Sequence, residues 1–272
     1  MKRGWLLFIF IVLVYCLNEF AGVIDLAIVR CQNLTTNIEA VVFDKDGTLA
    51  NSESFLIKLG QTRSHLLNLE VPGIEASLLR MFGLVGDRLN PAGVLAVGSR
   101  RENEIAAAAY VAATGRGWVQ SLAIAQTAFK AADQYFRRKA DYTAVYPGAL
   151  PLLRSLKAVG VKTAILSSDS TTNVQDFAQR YKLEPYFDLL MGTESGLTKP
   201  DPKLLHQACA AMEVEPAATL VVGDSSADLV MAQAAGAAGG IGVTWGWAES
   251  FDLPDADVAI AQWDEIEVLS AK

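Results

Sequence analysis

Short apolar runs alternate with amphipathic stretches along most of this chain. The run from Glu39 to Asp44 (EAVVFD) is rich in β-branched and aromatic residues and closes on an acid shortly before Gly47. That pattern predicts a buried strand ending at Asp44. Comparable runs recur at Val161–Leu166, Phe187–Met191, Thr219–Gly223, Ile241–Thr244 and Val258–Ile260. Helix-like stretches lie between them at Ala149–Ala158, Thr172–Tyr181, Pro202–Met212 and Ser226–Ala235, the last closed by Gly236. Strands alternating with helices of this length imply βαβ units, and hence an α/β doubly wound parallel sheet covered on both faces.

One stretch departs from that rhythm. From about Ser52 to Tyr146 the pattern is helical, with helices predicted at Ser54–Leu67, Ile74–Phe82, Glu102–Thr114 and Trp118–Lys139. In the last, Leu122, Ala125, Phe129, Ala132 and Phe136 recur at intervals of three and four, the spacing of one buried face. The expected division is therefore a core made of 24–51 and 147–272, interrupted by a helical insert at 52–146.

A third region stands before the first strand. Lys2 and Arg3 precede an apolar run from Gly4 to Leu17, the layout of a secretory leader or short membrane anchor. Fourteen residues fall short of the roughly 20 that cross a bilayer. Residues 1–23 are expected either to meet a membrane or to be absent from the working chain through processing or a misassigned start.

Composition narrows the function classes. Lys and Arg total 23 against 30 for Asp and Glu, a net charge of −7, and the basic pairs are short and isolated. That balance argues against nucleic acid as a partner. Cys16, Cys31 and Cys209 have neither CxxC spacing nor a nearby histidine cluster, so a zinc site and a disulfide framework are not expected. A cytoplasmic protein fits best, with membrane anchoring through residues 4–17 as the alternative.

Four groups stand where predicted strands end, the place at which open α/β sheets bind ligands. Asp44-Lys45-Asp46-Gly47-Thr48 offers two carboxylates one residue apart, with Gly47 allowing a sharp turn. Ser167 follows an apolar run, Lys199 precedes Pro200, and Gly223-Asp224-Ser225-Ser226-Ala227-Asp228 places two acids four apart as a strand enters a helix.

In this order and spacing the four groups resemble the motifs of the haloacid dehalogenase superfamily, from about Glu39 to the C-terminal region. The resemblance implies a hydrolase with a Rossmann-like core, in which Asp44 attacks phosphorus and Asp46 serves as acid and then base. It further implies a Mg2+ ion held by Asp44, Asp224, Asp228 and the backbone carbonyl of Asp46. Ser167, Lys199 and Gly47 would bind the phosphoryl group. Members with an acid at the position of Asp46 transfer phosphoryl groups, so the expected substrate is a small phosphate monoester. The insert corresponds in position to the helical cap of phosphoglycolate phosphatase-like members, which makes phosphoglycolate the leading guess. Arg100 and Arg101 in the insert are candidates for an anionic substrate group, with pairing to Glu102 and Glu104 as the rival reading. A sugar phosphomutase of the β-phosphoglucomutase type and a non-catalytic binding protein on the same fold stay open as alternatives.

Overall fold

Residues 40–43 are buried at every position, and their side chains alternate between two separate cores. Val41 and Phe43 pack with Ile165, Val222 and the helix Ala149–Ala158, while Ala40 and Val42 pack with Leu166, Val221 and the helix Pro202–Met212. A strand buried on both faces has no polar side to show, which is why it reads as an unbroken apolar run.

The computed structural model describes residues 27–193, 196–249 and 251–270. Its strands in chain order are β1 (Ala27–Cys31), β2 (Leu34–Ile38), β3 (Ala40–Phe43), β4 (Leu84–Val85), β5 (Arg88–Leu89), β6 (Lys162–Ser167), β7 (Leu189–Gly192), β8 (Thr219–Gly223), β9 (Gly239–Val243), β10 (Val258–Ile260) and β11 (Ile266–Leu269). Six form one sheet, ordered β10-β9-β8-β3-β6-β7, in which every neighbouring pair is parallel. The chain runs outward from β3 to β6 and β7, then returns to β8 on the other side of β3. That reversal opens a crevice at the carboxyl ends of β3 and β8, the usual ligand position in doubly wound sheets.

Two small sheets were not expected from the sequence pattern. The hairpin β1–β2 pairs with β11 in a three-stranded antiparallel sheet beside the main one. Its burial alternates along β1, where Ala27, Val29 and Cys31 face inward. The first strand of the chain as described is thus β1 and not the run at Glu39. The residues before 27, on which the leader or anchor reading rests, lie outside the described residues. Among the described residues no helix is long and apolar enough to cross a membrane.

The insert after β3 builds its own core. Its main helices are Glu53–Glu70, Glu75–Met81, Arg100–Ala112 and Trp118–Tyr135. Leu67, Leu78, Phe82, Val111 and Phe129 are among its fully buried members. Between Phe82 and Arg101 lie the β4–β5 hairpin and a short helix, Val94–Val97. Asn103 ties down that helix by donating to the carbonyls of Val94, Gly98 and Ser99. Where the insert leaves and rejoins the core its two chain segments are paired. Asn51 N donates to Ala144 O at 2.7 Å and Tyr146 N to Leu49 O at 2.9 Å.

Candidate active site

The turn after β3 brings its residues together by tight backbone bonding. The amides of Leu49 and Ala50 both donate to the carbonyl of Lys45, and Gly47 N donates to Ala50 O. Gly47 has a φ of +85°, and a Cβ there would stand 2.4 Å from Asp224 Oδ2, so no other residue fits. Gly223 is under a similar constraint, since its Cβ would lie 2.5 Å from that of Asp228. The two glycines let the β3 and β8 loops close on each other.

Asp44, Asp224 and Asp228 are all buried there, with one carboxylate oxygen from each lying within 4.8 Å of the others. Lys199 Nζ reaches Asp44 Oδ1 at 2.5 Å and Asp228 Oδ1 at 2.6 Å. Asp224 accepts from Thr48 Oγ1 at 2.8 Å and from Trp247 Nε1 at 2.7 Å. Ser225 Oγ donates to Asp228 Oδ2 at 2.6 Å. Three carboxylates against one ammonium leave two negative charges in a buried space. Burial first, and then Lys199 and the neighbouring acids, set the Asp44 pKa at about 6. Burial, with Asp44 and Asp228 alongside, raises Asp224 well above the carboxylate range. An all-oxygen donor set with a deficit of two positive charges fits a hard divalent cation.

A second ionic cluster adjoins the first. Asp46 Oδ2 is 2.6 Å from Lys45 Nζ and 2.7 Å from Lys139 Nζ, and Asp169 Oδ2 is 3.3 Å and 2.7 Å from the same two amines. Ser52 Oγ donates to the other oxygen of Asp46. Burial pushes Asp46 upward, but Lys139 and Lys45 outweigh it and hold its pKa at about 2. Asp169 is likewise pulled far below the carboxylate range, burial being overcome by Lys139, Lys45 and Asn173.

Both clusters line one cavity of about 640 Å³ that also takes in Ser167 and reaches the insert. Ser167 is buried at the end of β6, its Oγ accepting from Asp169 N at 3.2 Å. The structure therefore brings Asp44, Asp46, Gly47, Ser167, Lys199, Asp224 and Asp228 into one place. Arg100 and Arg101 line the cavity at its far end. Arg100 bonds Glu104 at 2.9 Å and Asp133 at 2.6 Å. Glu102 instead closes a capping box with Ser99.

Similarity to known proteins agrees with this arrangement. A haloacid dehalogenase-like hydrolase family model matches residues 38–236. The chain belongs to the haloacid dehalogenase-like hydrolases. It is 29% identical over 230 residues to a phosphoglycolate phosphatase of Chromobacterium violaceum, spanning 82% of this chain and 92% of that protein. In fold it is similar to a structure described as a predicted phosphoglycolate phosphatase from Haemophilus somnus. The TM-score is 0.61 at 20% identity, over 83% of this chain and 95% of that one. A haloacid dehalogenase-like hydrolase of Streptococcus pneumoniae gives 0.57 at 23% identity, over 84% and 96%.

Several residues around this hydrolase site were not singled out from the sequence. Ser52, Lys139 and Asp169 approach Asp46 from three separate segments, and no spacing rule links them. Asp169 stands two residues beyond Ser167, the one local signal that was available. Trp247, beyond the end of β9, is buried and donates directly to Asp224. The two histidines lie away from the cavity lining. His65 is 3.8 Å from Glu75, and His206 stands 3.3 Å from the Ala235 carbonyl oxygen.

Proposed function

We propose that this hydrolase cleaves small phosphate monoesters, with phosphoglycolate the first substrate to test, through a covalent intermediate on Asp44. The observation that carries the reading is the cluster of Asp44, Asp224, Asp228 and Lys199 opening into the same cavity as Asp46 and Ser167.

In the first step a carboxylate oxygen of Asp44 attacks phosphorus and the bond to the leaving alcohol oxygen breaks. Asp46 gives that oxygen a proton. In the second step water attacks phosphorus, Asp46 takes the water's proton, and the Asp44–phosphorus bond breaks to release inorganic phosphate. Lys199 holds one Asp44 oxygen and balances part of the charge that gathers there, while the Ser167 hydroxyl donates to a phosphoryl oxygen. Asp44, Asp224 and Asp228, with the backbone carbonyl of Asp46, would hold a magnesium ion. When bound, that ion offsets the repulsion between the acids and the phosphoryl oxygens.

Asp46 as it stands is in the base form, held there by Lys45 and Lys139. To act as the acid it must first loosen from Lys139, which sits at the root of the insert, in the 3-10 turn Lys139–Tyr142. Movement of the insert is therefore coupled to the proton state of Asp46.

Phosphate release from a panel of alkyl and aryl monoesters, with magnesium and with chelator, tests the reading. Magnesium-dependent release from phosphoglycolate supports it, and no release from any monoester overturns it. A mutase would instead convert a sugar phosphate to its isomer with little free phosphate.

A further inference from the structure

The insert end of the cavity is lined by four arginines, Arg63, Arg100, Arg101 and Arg137, against two carboxylates, Glu104 and Asp133. Arg100 engages both carboxylates, and Arg101 stands 3.8 Å from the second oxygen of Glu104. Arg63 is differently placed. It projects from the helix Glu53–Glu70 and is only 6% exposed. Among the described residues its guanidinium has no ion pair, and its Nε is sealed from solvent without a hydrogen-bond partner. Its contact is the face of Phe129, 4.1 Å from the ring centroid.

A ring face offsets only part of what it costs to strip water from a guanidinium. Burial pushes Arg63 down to about 10, with Asp133 pulling the other way, so it stays charged at neutral pH. A charged donor without a protein partner, lining a cavity that holds the candidate nucleophile, is placed to take an anion. The guanidinium fork suits two oxygens of one carboxylate or phosphate. The cavity, at about 640 Å³, extends well beyond what a phosphoryl group at Asp44 would fill.

We propose that Arg63 is the residue that selects the substrate, by binding a second anionic group, carboxylate or phosphate, on the monoester hydrolysed at Asp44. This inference rests on the phosphatase reading and names the substrate class: a small phosphate monoester whose leaving group is itself an anion.

The test compares the full wild-type chain with Arg63→Met and Arg63→Lys, in magnesium, on phosphoglycolate, a sugar bisphosphate and ethyl phosphate. Arg63→Met is expected to lose about 10- to 100-fold in kcat/KM on an anionic substrate relative to ethyl phosphate, mostly through KM. Loss confined to phosphoglycolate assigns a carboxylate, and loss confined to the bisphosphate assigns a phosphate. Arg63→Lys should recover part of the loss. The melting temperature of Arg63→Met should equal or exceed that of wild type, because a buried unpaired charge has gone. Equal losses on all three substrates, no loss on either anionic one, or a marked fall in melting temperature would overturn the proposal. Calorimetric binding of phosphoglycolate to Asp44→Asn, with and without Arg63→Met, reads the subsite without turnover. If wild type releases phosphate from no monoester, these three and the wider panel included, the phosphatase reading fails. The subsite is still decided by whether Arg63→Met weakens that binding about tenfold or more.

Discussion

Two ionic clusters share one cavity and are built on opposite principles. Around Asp44 three acids face a single lysine, and Asp44 and Asp224 are driven upward in pKa by burial and by the neighbouring acids. Around Asp46 two acids face two lysines, and the acids are driven downward. The first cluster is short of positive charge, a deficit that a bound cation would make good. The second is complete without one, and it ties the insert to the core through Lys139. Local charge balance, more than burial, separates the two, since the Asp46 and Asp169 side chains are only slightly more exposed than that of Asp44, at 16% and 15% against 10%.

The sharpest way to break the contrast is at Asp44. Asp44→Asn should lower turnover by about 10⁴-fold or more, since the amide keeps the shape and loses the nucleophile. Because it also removes one negative charge from the cluster short of cations, its metal-free melting temperature should rise. Wild-type turnover in this variant would end the mechanism proposed above.

Metal removal comes next in size. Chelation should reduce phosphate release to background, magnesium should restore it, and calcium should restore it poorly because it favours more ligands at longer bonds. Added magnesium should also raise the melting temperature of wild type, and less so that of Asp228→Asn. Full activity in chelator would show that the three acids do not hold a required cation.

Asp46→Asn should cost about 10²- to 10⁴-fold on alkyl phosphates and less on aryl phosphates, whose leaving groups need no proton. Unlike Asp44→Asn it should destabilise the fold, since Lys45 and Lys139 are left with one acid between them. A rise in melting temperature would contradict the charge count in the second cluster.

Lys139→Met tests the tie between insert and core. Removing one partner from a buried ionic group costs about 3 kcal/mol, measurable as a lower denaturant midpoint. With one lysine gone, the Asp46 pKa should rise from about 2, moving the acid limb of the pH–rate profile upward. An unchanged limb would mean that Lys139 does not act through Asp46.

The smallest effect is on stability against pH in the absence of metal. An acid whose folded pKa is raised binds its proton more tightly in the folded state. Stability therefore falls as pH climbs from about 4, the unfolded value, through about 6, the folded value of Asp44. Asp46 behaves oppositely, adding stability at neutral pH that is lost only as pH drops from about 4 toward its folded value of about 2. Chelated wild type should show the downward slope between pH 4 and 6, and Asp44→Asn should make it shallower, the raised Asp224 keeping the remainder. A flat wild-type curve would remove the charge deficit from the argument.

Local pattern was enough for the strands that carry the chemistry, because a strand buried on both faces has to be apolar throughout and has to stop at its first functional polar residue. Residues 40–43 and the acids that follow them show this directly. The main helices of the insert were legible for the same reason, Ala125, Phe129 and Ala132 recurring on one face. The hairpin β1–β2 was hidden because its sequence, with Thr35, Thr36 and Asn37 in β2, pairs half-exposed strands whose burial depends on β11 more than two hundred residues away. The second ionic cluster was hidden for a related reason. Ser52, Lys139 and Asp169 are ordinary polar residues in their own segments, and only the folded chain sets them around Asp46. Sequence alone determined the strands of the main sheet, the helices between them and where reactive groups leave that sheet, because those properties follow from the burial pattern of each segment. Tertiary structure alone decided which charges are neutralised and which are left wanting, because charge balance depends on which side chains distant in sequence come within a few ångströms.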